Sequence, residues 1–377
     1  MSAAADAPTR VIRTVLGDLP VSEAGHVQPH EHVLCDMSGI VKTWGVDAVW
    51  PAVAAADASA GRVAAEAPAT SRELIEAPVT LESYDRIRRE VVNLDNLRLT
   101  RVDDAISELT HYRAAGGGTI VDSSAIGMGR DPAGLAAVSR ATGVHLVMGS
   151  AYYARQYHPP GLDAQSAEAI AETIVADVRD GVGDSGVRAG IIGEVGLSWP
   201  VHPTEATVLA GAARAQAHTG AALQLHPGRD PRAPVEAMRA VVENGGDPAR
   251  TIMSHVDRTL WEPAALTELA RTGCYVELDL FGQESSYYAF NPDARRPNDR
   301  TRVEWILDLC EQGFENRILL SQDICQKVYL RKYGGPGYTH LLENVVPLMR
   351  RMGLGESLIH TLTRDNPATA LGMEASS

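Results

Sequence analysis

From residue 100 onward, short apolar runs alternate with segments whose apolar residues recur at helical spacing. The runs lie at residues 119–122, 144–149, 189–194, 222–226, 251–255, 274–280 and 318–323. They are rich in Val, Ile and Leu, and read as strands buried on both faces. Between them, helical spacing is found at 102–114, 135–141, 166–182, 204–218, 234–244, 263–271 and 302–312. Gly116-Gly117-Gly118 ends the first of these helices. An earlier run at 26–32 makes eight strands, separated mainly by helices. Such alternation specifies an α/β fold with a parallel sheet, and eight units close into a (β/α)8 TIM barrel. An open doubly wound sheet is the runner-up, but no Gly-x-Gly-x-x-Gly follows the first strand to hold a nucleotide.

The rhythm is broken once. Residues 37–99 carry Trp44 and Trp50, an Ala-rich stretch at 52–67 and then Pro68. The following segment, Val79-Thr80-Leu81-Glu82-Ser83-Tyr84, resembles the capped start of a helix. This is expected to be a long insertion after strand 1, lying over one end of the barrel. No Pro/Ser linker tract divides the chain, so residues 1–377 read as one domain.

Composition narrows the function. The 377 residues are 45% hydrophobic and 22% charged, ordinary for a protein with a large core. A formal net charge of −14 argues against general nucleic-acid or anionic-membrane binding. No run approaches the ~20 apolar residues of a membrane helix. Cys35, Cys274, Cys310 and Cys325 are scattered, with no Cys-x-x-Cys spacing, and read as reduced thiols. Residues 1–10 lack the basic-then-apolar layout of a signal peptide. The expected location is cytoplasmic and the expected partner a small-molecule substrate.

The chemistry sits where strands end. His30 and His32 are two residues apart, so on a strand their side chains share a face. Glu194 ends strand four, His226 strand five, His255 strand six and Asp323 strand eight. In a barrel these ends meet at one rim. Singly, His226 before Pro227-Gly228 could cap a turn, and His255 could be a satisfied core histidine. Jointly, four histidines and two carboxylates imply two divalent metal ions. His30, His32 and Asp323 are expected to hold one, His226 and His255 the other, and Glu194 to bridge them. A water between two cations loses its proton readily, giving a bridging hydroxide as nucleophile. Asp323 is the candidate catalytic residue, taking that proton and passing it to the leaving group. Zinc leads the candidate metals, with manganese, cobalt and iron also suited to this donor set.

These residues resemble the ligand set of the amidohydrolase superfamily, specifically the phosphotriesterase family, and within it the phosphotriesterase-related proteins. The resemblance runs from Thr14-Val15-Leu16-Gly17 to Asp365-Asn366-Pro367 and is carried by residues 189–200, His226-Pro227-Gly228-Arg229, residues 254–259 and residues 332–338. The founding phosphotriesterases and related lactonases bridge their metals with a carbamylated lysine on strand four. Here that strand offers Gly193 and Glu194 and no lysine, which weakens any transfer of organophosphate or lactone activity. The related branch includes a hydrolase of N-acetyltaurine. The resemblance therefore implies cleavage of the amide of a small N-acyl amino acid or N-acyl taurine-like substrate. An anionic substrate would call on Arg229 and Arg258, just past strands five and six, and on Lys332. Tyr152 and Tyr153, and Tyr287 and Tyr288, are candidates to line the pocket, with Tyr153 and Tyr288 the expected substrate contacts and one member of each pair expected to pack. The family's habit makes a homodimer the expectation. The alternatives are a lactonase, carboxylesterase or organophosphate triesterase, and more remotely a non-catalytic binding protein.

Overall fold

The structure, a computed structural model, describes residues 10–39, 69–90, 93–284 and 296–375. Eight parallel strands form one sheet: β1 His26–Glu31, β2 Gly117–Asp122, β3 His145–Ser150, β4 Ile191–Gly196, β5 Ala222–His226, β6 Thr251–Met253, β7 Tyr275–Leu278 and β8 Ile318–Leu320. Neighbours in sequence are neighbours in the sheet throughout. The β8–β1 seam is crossed by hydrogen bonds from Asp323 N to the His30 carbonyl (3.2 Å) and from His32 N to the Ile324 carbonyl (3.1 Å). The result is a nearly closed TIM barrel, as the alternating pattern implies. All but one of the strands are buried along their whole length, which is why they read as continuous apolar runs rather than alternating ones; in β3 only the first residue, His145, is partly exposed.

Between the strands run α1 Val102–Ala114, α2 Pro132–Thr142, α3 Ala167–Arg179, α4 Pro203–Thr219, α5 Ala233–Glu243, α6 Pro263–Ala270 and α7 Asp299–Glu311. Their starts are chemically marked. Asp131, Ser166 and Asn298 accept backbone N–H groups at α2, α3 and α7. His202 and Glu205 form a reciprocal cap on α4. Gly143 ends α2 with φ +69°, a conformation that disfavours any residue with a Cβ. Helix bounds differ from the sequence expectation by one to three residues at most ends, because fraying ends carry the weakest periodic signal.

Two features are not visible as apolar rhythm. A hairpin, Arg10–Thr14 with Gly17–Pro20, pairs with Met373–Glu374. It joins the two ends of the described chain, and its Ile12 packs with Val27, Val121, Val147 and Ile191 of the barrel strands. Helical turns at Leu341–Val345, Val346–Arg351, Glu356–His360, Thr361–Asp365 and Asn366–Leu371 follow β8.

The insertion is pinned at its base by Cys35–Asp36 pairing antiparallel with Arg98–Leu99. Its described part includes helices Ala69–Glu76 and Tyr84–Glu90. Thr80 and Ser83 exchange hydrogen bonds just before the second, the cap that the sequence suggested. Asn96 bonds Gln326 and the Val328 and Lys327 amides, so this segment rests on the loop that follows β8. Trp44, Trp50 and the Ala-rich stretch lie outside the described residues. Among the described residues no helix is long and apolar enough to cross a membrane.

Candidate metal centre

The barrel brings all six sequence-predicted ligands to one rim. His30 lies in β1, Glu194 in β4 and His226 at the end of β5. The other three stand just beyond strand ends: His32 after β1, His255 two residues past β6 and Asp323 three past β8. His255 (φ +54°) and Asp323 (φ +48°) both adopt the left-handed conformation, strained for residues with a Cβ and typical of functional positions. Gly193 precedes Glu194 with φ +147°, and a Cβ there would meet the Gln224 carbonyl at 2.7 Å. Glycine is needed for Glu194 to sit where it does.

Three groups of donors lie together among the described residues. His30, His32 and Asp323 make one, Glu194, His226 and His255 a second, and His30, His255 and Asp279 a third that links them. Glu194 Oε1 lies 3.2 Å from His32 Nε2. Its Oε2 lies 2.9 Å from His226 Nδ1 and 3.2 Å from His255 Nε2. Asp323 Oδ1 lies 3.4 Å from His32 Nε2 and 3.8 Å from His30 Nε2. Donors bound to one tetrahedral ion at about 2.0 Å stand about 3.3 Å apart. The spacing leaves these donors able to converge on a cation.

The buried chemistry agrees. Nε2 of His30 and of His32 are fully buried and have no hydrogen-bond partner. Such orphaned polar atoms are costly unless a ligand satisfies them. Each ring's other nitrogen is occupied, which sets the tautomer. His32 Nδ1 meets Ser124 Oγ at 3.0 Å. His30 Nδ1 is within 3.2 Å of Ser254 Oγ, Glu277 Oε2 and Asp279 Oδ2. His255 Nδ1 meets Asp279 Oδ1 at 3.0 Å, and Asp279 also accepts the His255 amide. These three histidines therefore present Nε2. His226 differs: its Nε2 accepts from Arg258 Nη2 at 2.8 Å, so here Nδ1 carries the proton and donates to Glu194 Oε2 at 2.9 Å.

The electrostatics favour a cation. Burial alone would lower His32, yet the carboxylates of Asp323 and Glu194 raise it to about 10. Burial likewise opposes protonation of His255, but Asp279 and Glu194 raise it to about 9. Against its own burial, Glu194 is held well below the usual carboxylate range by His30 and His226. His226 goes the other way: burial, then the charges of His255 and Arg258, push it well down. Burial drives Tyr153 well above its usual value, so its hydroxyl stays a donor.

The substrate candidates divide. Tyr153 Oη lies 3.0 Å from His226 Nδ1, at the centre. Tyr152 packs in the core against the His158 ring, so this pair splits into one packing member and one facing the site. Arg258 is buried and bonds His226 and the Pro227 carbonyl. Arg229 is half-buried and close enough for its charge to act on Tyr153. Lys332 instead pairs with Asp104 of α1 at 2.8 Å, an exposed ion pair. Tyr287 and Tyr288 lie outside the described residues.

Sequence reasoning missed the residues behind the ligands. Glu277 and Asp279 alternate with apolar residues at the end of β7, a period-2 signal of two acids turned to one face. Ser124 and Ser254 carry no such signal.

Comparison with known proteins accords with this geometry. A sequence profile of the Phosphotriesterase family matches residues 10–371. An N-acetyltaurine hydrolase of Rattus norvegicus is 34% identical over 359 residues, covering 94% of this chain and 96% of its own. One from Bos taurus is 38% identical over 303 residues, covering 80% and 87%. A solved structure, a resiniferatoxin-binding protein from Rhodobacter sphaeroides, superposes with a TM-score of 0.86 at 33% identity, covering 98% of each chain. The chain belongs to the phosphotriesterase family and is a metal-dependent hydrolase.

Proposed function

We propose that this chain cleaves the amide bond of a small N-acyl amino acid or N-acyl taurine-like substrate at a two-metal centre, with zinc as the leading metal. The observation that carries the two-metal reading is the orientation of Glu194. Its Oε1 lies 3.2 Å from His32, while Oε2 lies 2.9 Å from His226, 3.2 Å from His255 and, farther off, 3.7 Å from His30, so the carboxylate stands between the two pairs of histidines. His30, His32 and Asp323 would hold one ion, His226 and His255 the other, with Glu194 shared. When bound, such ions lower the pKa of water and polarise a carbonyl.

The chain's own residues account for the rest. Asp323 has the most exposed side chain of the six, 16% against 8% for His226 and at most 2% for the other four, so it reaches the substrate space. Its carboxylate accepts a proton from the attacking water and returns it to the leaving nitrogen, which cannot depart as an amide anion. Tyr153 Oη donates to oxygen as negative charge develops. An imidazole that binds a cation through Nδ1 carries its proton on Nε2, so His226 in that state no longer accepts from Arg258. Arg258, with Arg229, then serves the carboxylate or sulfonate of the substrate. The N-acetyltaurine hydrolases among its relatives support this choice of substrate.

The test is amine release from a panel of N-acyl amino acids and N-acetyltaurine by metal-reconstituted protein, with Asp323→Asn beside it. Release by wild type, lowered about 10²- to 10⁴-fold in kcat by the variant with little change in KM, is expected. No release from a sample holding two metals per chain would overturn the amide reading in favour of esters or lactones. A variant with normal kcat and raised KM would remove Asp323 from proton transfer.

A further inference from the structure

Asp323 stands on a left-handed backbone that the surroundings must enforce. Its amide donates to the His30 carbonyl at 3.2 Å. The flanking amides of Gln322 and Ile324 donate to Glu31 at 2.8 Å each. The carbonyls on the same turn are held by one side chain, Gln283. Its Nε2 donates to the Gln322 carbonyl at 2.8 Å and to the Asp323 carbonyl at 2.9 Å. Gln283 comes from just past β7, forty residues earlier in the chain.

The amide of Gln283 has only one workable orientation. Its Oε1 accepts from Arg296 Nη2 at 3.0 Å. Flipped, it would set an oxygen against two carbonyls and an NH2 against a guanidinium, so every contact would be repulsive. Its backbone is fixed as well, because the Gln283 carbonyl accepts from Arg302 Nη2 at 3.4 Å. Arg302 is fully buried and bonded to Asp257 (2.6 Å) and Asp299 (2.8 Å). Gln283 is thus held at both its side chain and its backbone, aimed at the turn that carries Asp323, and none of the bonds described here joins it to a metal-ligating side chain.

We infer that Gln283 is a positioning residue for Asp323: its two N–H groups hold the left-handed turn that presents the carboxylate to the metal centre and to the substrate. This rests on the metal-centre reading given above. Glu31 shares the task but lies between His30 and His32, so its loss would disturb three ligands at once. Gln283 isolates the effect.

Two variants separate this role from a merely structural one. Gln283→Met removes the donors and the acceptor. Gln283→Glu keeps the shape and the acceptor toward Arg296 but removes both donors. The measurements are kcat and KM, the rate of metal release into a chelator, and the thermal midpoint as a check of folding. Both variants are expected to fold, to lose about tenfold or more in kcat with KM within about twofold, and to release metal about tenfold faster. A wild-type Gln283→Glu beside an impaired Gln283→Met would overturn the inference, assigning the effect to the Arg296 contact. Wild-type behaviour of both variants, or a change confined to KM, would also overturn it. The metal-release rate needs no substrate, so a wild type that binds metal but cleaves no amide still decides the role of Gln283. A wild type that binds no metal would overturn the metal-centre reading, and this inference with it.

Discussion

His30 and His32 face Glu194 and Asp323 through buried Nε2 atoms that have no hydrogen-bond partner. His226, on the other side of Glu194, is engaged on both nitrogens, by Glu194 and Tyr153 at Nδ1 and by Arg258 and Tyr153 at Nε2. The first group is closed in by the β1–β8 seam, and its histidines are backed by hydroxyls and acids. The second is rimmed by a phenol and two guanidinium groups. Carboxylates raise His32, and also His255, whereas burial and the charges of His255 and Arg258 lower His226. The difference separates two tasks. In the function proposed above, one side holds a cation and manages a proton, and the other adds groups that recognise an anion. Glu194 joins them.

The comparison can be broken most severely at the join. Glu194→Gln is expected to drop metal content below two per chain and to lower kcat/KM by about 10³-fold or more, read by elemental analysis and kinetics. Two metals and full activity in that variant would remove the bridge. Asp279 backs His30 in one group and His255 in the other. Asp279→Asn is therefore expected to weaken metal binding about 10- to 100-fold in chelator competition, for both ions. Loss of one ion alone would show that the groups are supported independently. The mildest change tests the recognition side. Arg258→Gln should raise KM for an N-acyl sulfonate or carboxylate about tenfold, the effect of one charge-assisted hydrogen bond, with kcat within about threefold. A fall in kcat at constant KM would instead make Arg258 a support for His226.

Much of this was legible before any coordinates. The β/α rhythm specified the barrel because each strand is buried on both faces and each helix on one, and both leave a periodic trace. The six candidate donors were legible because polar residues at the ends of apolar runs are conspicuous. Their backing residues were less so. Glu277 and Asp279 left a period-2 trace at the end of β7, but Ser124 and Ser254 look like any serine near a turn. The reading of Lys332 as a rim cation met a nearer carboxylate, Asp104, which no one-dimensional pattern places beside it.

What the sequence determined by itself was therefore the fold and the set of candidate donors, since both follow from local residue type and spacing. Tertiary structure decided which donors share a group, which nitrogen each imidazole presents, and what holds Asp323 in its left-handed turn. Those depend on contacts between residues 24 to nearly 300 positions apart, such as His255 with Asp279, Gln283 with Asp323 and Glu31 with Ile324. Hydrogen-bond partners at such separations are set by how the barrel closes, and closure is a property of the whole sheet.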